Sequence, residues 1–457
     1  MPINWDTIDP AWAWSPYQPS AEQPWDRRRA AHLFRRAGFG ATAAELVEAV
    51  SIEPAVVVEQ LVGSASDSGT ERSDPASDAL ARAVLATGDP HQLGAWWAYA
   101  MLGTPTPLVE KMTLFWHGHF ATSAEKVTDA ELMFRQNRLL RQHALGDFAA
   151  LTHAVARDPA MLIYLDSATN RKAHPNENFA RELMELFCLG EGNYTERDIQ
   201  ELARCFTGWE IRQRSFRFNR YQHDAGDKSI LGRTGPFPDS EAVDVVLDQP
   251  AATQFIVGKL FRFFVADEPA PTAALLQPLA DDLREHNWDV RVVVRRMLGS
   301  QLFFSDIVRG RKVRSPVDLI LGLLRPLQGS TNTYQVAEDL ERLGQGLFFP
   351  PNVKGWDGGR TWINSASLLD RSNAVGSLLR SSKTRFGGEN LGEYLSRDNA
   401  SPAATLNQLA ELLLAVPLHE ATQARLLNLY ERSNKDRNQR WIETLHALAT
   451  LPEFQLC

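Results

Sequence analysis

PNENFARELMELFCLGEGNYTERDIQELARCFTGW, residues 175–209, decides the fold. Its apolar residues recur at helical spacing in two runs, and residues 175–189 and 195–207 are read as two amphipathic helices. In the first run Phe179, Leu183, Leu186 and Phe187 form an apolar side that must be buried. Asn178, Glu182 and Glu185 fall at i, i+4 and i+7 on one polar face, with Arg181 four residues before Glu185 and placed to pair with it. In the second run Thr195 opens T-E-R-D, a capping box with Asp in place of Glu.

Helical periodicity extends outward from this stretch. Upstream, residues 147–157 and 127–145 read as helices, and 107–117 place Leu108, Met112, Phe115 and Trp116 on one apolar stripe. Residues 1–25, rich in Pro and Trp, read as an extended arm that packs its aromatics on the body. Asp26 is placed to cap a helix that runs to Ala37 and ends at Gly38, and helices follow at 43–50 and 54–61. Residues 63–78, full of Ser, Asp and Gly, read as a linker or loop. Downstream, the alternation RSFRFNRYQH and the turn chemistry of GRTGPFPD predict a short β hairpin or irregular insertion near 211–238. Helices resume from about Glu241. Residues 345–364 read as an ordered loop and 381–403 as a polar loop, and amphipathic helices finish the chain. The expected fold is mainly α, a bundle-like array of many helices with long ordered loops. It divides into the arm (1–25), N-terminal helices (26–62), a linker (63–78), a main body (79–380) and C-terminal helices (404–457).

The bulk properties agree with a large globular chain. It has 457 residues, 44 % hydrophobic and 23 % charged, and an apolar run long enough to cross a bilayer is not found. A net charge of −8 argues against a general nucleic-acid binder, which concentrates Lys and Arg against phosphates. Arg27, Arg28, Arg29, Arg35 and Arg36 read as the solvated face of an early helix. A charged segment followed by an apolar stretch is not visible at the start, which fits the cytoplasm; a trimmed secretory signal would look the same. Cys188, Cys205 and Cys457 form no spaced framework, and the first two read as buried thiols.

Four segments carry chemistry. In FWHGHF, His117 and His119 are candidate metal ligands, although residues two apart on a helix point about 200° from each other. They share a metal only from an irregular backbone, which Gly118 permits. On the polar face of 175–189, Glu182 and Glu185 are candidate catalytic carboxylates and Asn178 a substrate contact, since carboxylates near a buried face need partners, a metal or a proton. In YQHDAGDKSILG, His223 and Asp224 supply a base and its orienting anion, or two ligands. In PNVKGWDGGRTWIN, Trp356, Asp357, Arg360, Trp362 and Asn364 form an aromatic and polar loop suited to a carbohydrate or another polar ligand. Each has a plainer reading: a helix cap, a surface salt bridge, a turn, a loop pinned by its tryptophans.

These segments together resemble the domain-of-unknown-function 1800 family. The resemblance starts at HLFRRAGFG (32–40), is strongest over 175–209, and continues through HDAGDKSILG, VGKLFRFF, VRSPVDLILGLLR and PNVKGWDGGRTWIN. It implies a bacterial, mostly helical protein without an established activity, and it carries no catalytic residues over. Many members look secreted, which this chain, lacking a visible signal, does not.

Three functions are weighed. The first is a hydrolase-like enzyme with a divalent transition metal held among His117, His119 and the carboxylates. The metal would activate water, and the segments must then meet in space. The second is a non-catalytic helical binding or assembly module whose polar motifs form a structural network. The third is a metal-independent glycosidase-like enzyme, with Asp166 or Asp357 as partner to a glutamate.

Overall fold

The computed structural model describes residues 3–63 and 74–457. Helices carry the architecture, with 25 α-helical segments among the described residues against three two-stranded antiparallel sheets. The fold is mainly α. One apolar core runs continuously from Trp5 to Phe454.

The N-terminal elements start where their caps predict. The Asp26 carboxylate accepts from the Arg29 N–H at 2.9 Å and opens the helix Arg27–Ala37, which stops at Gly38. The arm before it folds down as short helical turns, including Pro10–Ala13, rather than as extended chain. Its tryptophans anchor it. Trp5 and Trp14 meet the ring of Phe261 edge-on at 5.1 and 6.1 Å, and their indole N–H groups donate to the carbonyls of Pro269 and Leu275.

The early arginines depart from the expectation of a solvated face. Arg29, Arg35 and Arg36 are buried, and the last two donate to the carbonyls of Leu412 and Val265. The linker also ends sooner than its composition suggests. Asp74 caps a helix Pro75–Thr87, accepting from the Ala76 and Ser77 N–H groups. The rest of it, residues 64–73, lies outside the described residues.

The helix Pro107–His119 threads the core. Leu108, Met112 and Trp116 are fully buried on it, and Trp116 stacks on Phe148 at 5.5 Å while donating to Ala144 O. Lys111 on the same helix pairs inside the protein with Asp318 of the helix Pro316–Leu324. The sequence run 127–145 becomes Ala130–Gln142, and 147–157 becomes Phe148–Ala156. No helix among the described residues is long and apolar enough to cross a membrane.

The insertion near 211–238 is two hairpins. Trp209–Arg212 pairs with Ser215–Phe218, Trp209 opposite Phe218, and Lys228–Ile230 pairs with Arg233–Gly235. A third pair, Gly329–Ser330 with Arg385–Phe386, lies partly inside the predicted polar loop 381–403, which also contains the helical turn Leu391–Tyr394. The helices Pro402–Leu413, Glu420–Arg432 and Arg437–Ala449 close the chain against the core.

Candidate functional site

The first of the two deciding helices is not uniform. Asn178–Glu182 is α-helical, and Leu183–Cys188 is wound as a π-helix. A π turn fits one more residue per turn, which shifts the following side chains around the axis and recurs at functional sites. Leu189 and Gly190 both donate to the Met184 carbonyl. The carbonyls of Leu186 and Phe187, left over at the helix end, are taken by the Lys259 ammonium at 2.9 Å and by His119 Nε2 at 3.0 Å.

Glu182 and Glu185 flank the α-to-π junction, and both are half-buried. The Tyr194 hydroxyl donates to Glu185 Oε2 at 2.8 Å. Among the described residues the Glu182 carboxylate accepts no hydrogen bond. Burial, and next the nearby Glu185, push its pKa up, against the opposing pull of Arg181 and Lys354. Tyr164 faces the same cluster. Burial first, then Glu125 and Glu182, raise its phenol. Arg181 does not pair with Glu185 as expected; it holds Glu196 through two 2.8 Å bonds and Glu177 at 3.2 Å.

The loop after Leu347 comes down on this region from the other side. Gly355 has φ +78°, and a Cβ there would stand 2.1 Å from Gly118 O, so the two backbones touch. Trp356 follows, its ring 5.6 Å from His117 and its indole N–H buried without a partner. Lys354 is near enough to Glu182 to oppose its protonation. Three of the four sequence segments, 117–119, 178–188 and 351–356, therefore converge.

The two histidines of FWHGHF do not form a shared ligand set. Both lie on a regular helix and face different neighbours. His117 Nε2 accepts from the Phe348 N–H at 3.2 Å among Trp97, Phe348 and Trp356, and burial depresses its pKa to about 3. His119 Nε2 is spent on Phe187 O, and burial, then Lys259, keep that ring neutral as well. Among the described residues no group of three or more His, Cys, Asp or Glu is arranged to hold a metal ion. The expected metal on His117 and His119 lacks its geometry, because each ring serves the backbone of a separate element.

The fourth segment stands apart. His223 Nδ1 lies 2.9 Å from Thr207 O and its ring packs on Phe218. Asp224 is fixed by Arg204 Nε at 2.7 Å and by the Gly226 N–H, and the Arg204 bond chiefly draws its pKa down. Among the described residues nothing joins this pair to Glu182 or Glu185. In the distal part of the loop, Asp357 is exposed, Arg360 pairs with Glu268, Trp362 is half-buried, and Asn364 caps the helix Ser365–Arg380 through the Ser367 N–H. Asn178 is exposed on the first turn of its helix.

Sequence reasoning passed over Tyr164, Tyr194, Lys259 and Lys354. Lys354 sits inside a quoted motif, so proximity in the chain was a usable sign. Lys259 lies 73 residues or more from its partners His119 and Leu186, and nothing local marks it. A cavity of about 680 Å³ lies elsewhere, walled by Trp96, Phe134, Glu110 and Arg141 and by none of the predicted site residues.

Fold and cluster together describe a large helical protein with a half-buried carboxylate pair at a π turn. Residues 32–456 match the DUF1800 family, described as proteins of unknown function, and the chain belongs to that family. No curated protein and no solved structure matches it.

Proposed function

We propose that this protein is a hydrolase-like enzyme whose acid–base pair is Glu182 and Glu185. The observation that supports the reading is the state of Glu182: half-buried, without a hydrogen-bond partner among the described residues, and drawn toward its protonated form by burial and by Glu185. A carboxyl so placed keeps its proton to higher pH and can deliver it to a leaving group. Tyr194 fixes Glu185, Lys354 brings a positive charge, and Trp356 offers a flat surface for a polar substrate such as a sugar. A metal on His117 and His119 is not required. Both carboxylates stand on one helix, so attack on a glycosidic bond from two sides is disfavoured.

The test uses p-nitrophenyl acetate, phosphate and glucoside as probes. The protein is expected to turn over at least one. Glu182→Gln should lower kcat/KM by ~10²–10⁴-fold with the unfolding midpoint unchanged or higher. Turnover unaffected by Glu182→Gln rejects this residue as the acid. A second reading, a non-catalytic binding or assembly module, is favoured by one observation: His117, His119 and His223 each spend a ring nitrogen on a backbone group. That reading stands if none of the probes is hydrolysed.

A further inference from the structure

The motif RSFRFNRYQH is not absorbed by the carboxylate site. It forms the outer strand of the first hairpin and the turn after it, and it is joined to the strap 170–175 by the Lys172 N–H donating to Gln222 O. Segments 170–175 and 211–223 carry Arg171, Lys172, Arg212, Arg214, Arg217 and Arg220 and not one Asp or Glu, in a chain of net charge −8.

The charge is unevenly compensated. Arg171 is held against Glu210, and Arg214 against Asp129. Lys172, Arg212 and Arg217 have no side-chain partner among the described residues, and Arg220 has only the ring and hydroxyl of Tyr221. All four are exposed. Beside Arg220 stands Tyr221, 70 % exposed; Phe218, 46 % exposed, lies at the strand end on the face of Trp209, opposite to that of Arg212 and Arg217, with its ring against His223.

The platform beneath is rigid. Gly208, with φ +86°, lets the strands close, since a Cβ there would meet Asn219 O at 2.5 Å. Trp209 is buried and donates to Asp239, Phe216 lies under Arg157, and Asn219 donates to Glu210 at 2.6 Å. The turn Gln213–Arg214 holds both residues at positive φ, 51° and 61°, the mirror-image turn that matches hairpin twist. The cations therefore face solvent from a fixed base.

We propose that this hairpin and its following turn dock on an anionic lipid surface. Charge complementarity selects a multivalent anion. Tyr221 suits the interface between headgroups and acyl chains, where aromatic rings settle. A single nucleic-acid strand needs a groove that follows its backbone, and neither described cavity is lined by these residues. Glu210 and Asp129 lie within this surface but are engaged by Arg171 and Arg214, which leaves Lys172, Arg212, Arg217 and Arg220 to meet a planar anionic surface.

Co-sedimentation of the full chain with phosphatidylcholine vesicles, with and without phosphatidylserine, tests this. Binding is expected to the mixed vesicles only, and to fall as salt rises. Each of Arg212→Gln, Arg217→Gln and Arg220→Gln should weaken it by about fivefold, the effect of one basic residue at such a surface. Replacing all three with Lys should retain it, which separates charge from any loss of folding. Tyr221→Ser should weaken the part that survives salt. Failure to bind mixed vesicles overturns the proposal, as does equal binding by the triple Gln variant. Binding of a single-stranded oligonucleotide, or self-association through these arginines, without vesicle binding would reassign the surface.

Discussion

At the scale of single residues, buried charge is the informative feature. Asp158 is buried, caps the helix Pro159–Tyr164 through the Met161 N–H at 3.0 Å, and accepts from Gln136 at 2.7 Å. Burial outweighs those bonds and pushes its pKa up to about 6. The folded value lies above the unfolded one, near 3.9, so folding favours the protonated form. Stability from this group is present in full below about pH 4 and is lost as pH rises through about 6, on the order of 2–3 kcal/mol. Asp158→Asn removes the titration and keeps an acceptor for Met161. Urea unfolding from pH 4 to 7 should show the native protein losing stability relative to the variant by that amount; parallel curves exclude it. None of this was legible in the sequence, where Asp158 looks like any helix cap. Arg35 and Arg36 were misread for the same reason. Helical spacing tells which residues share a face, but the carbonyls that absorb these guanidinium groups come from Leu412 and Val265, hundreds of residues away.

At the scale of elements, the sequence is readable where the instructions are local. Thr195 and Asp198 form the capping box as read, the alternation after Trp209 becomes a hairpin, and Asp26 opens its helix. The π turn at Leu183–Cys188 was not readable. It depends on His119 and Lys259 being present to take the carbonyls at its end. The meeting of Gly118 with Gly355 is likewise tertiary, and it gives a contrast between two similar changes. At Gly355 a Cβ would collide with Gly118 O at 2.1 Å, on a backbone at φ +78°. Gly355→Ala must push the loop off the helix and should destabilise by more than about 1 kcal/mol, moving Trp356 and Lys354 with it. At Gly118 a Cβ would meet Trp356 at an ordinary 3.5 Å, and Ala at this next-to-last helical position gains at most about 0.5 kcal/mol, the low end of the interior range. Gly118→Ala should be neutral or stabilising. Thermal unfolding of the pair checks this, with tryptophan fluorescence following Trp356. Equal effects would falsify the proposed backbone contact as the cause.

At the scale of the whole molecule, helices are locked to one another by ion pairs set inside the packing, and Glu110 is one such case. It is 5 % exposed, Arg141 grips it with bonds of 2.7 and 3.0 Å, and the Trp97 indole donates to it at 2.9 Å. Three helices meet there: Leu93–Gly103, Pro107–His119 and Ala130–Gln142. Arg141 also lies over the ring of Trp96 at 5.3 Å and forms part of the wall of the 680 Å³ cavity. Taking both charges out of water is costly, and their attraction returns that cost only while the pair is complete. Glu110→Met leaves a guanidinium and an indole N–H without their partner on the cavity wall, a loss of up to about 3–5 kcal/mol. Arg141→Met strands a buried carboxylate and should be similarly harmful. The double variant removes the need for pairing and fills the space with side chains of comparable length. Its loss should be well below the sum of the two, with a coupling of roughly 1–3 kcal/mol in a double-mutant cycle followed by urea unfolding. Additive losses would mean that each residue acts through packing alone. A strong coupling would mean that the order of these three helices is fixed by polar pairing as well as by packing, with Glu110 and Arg141 acting as a unit.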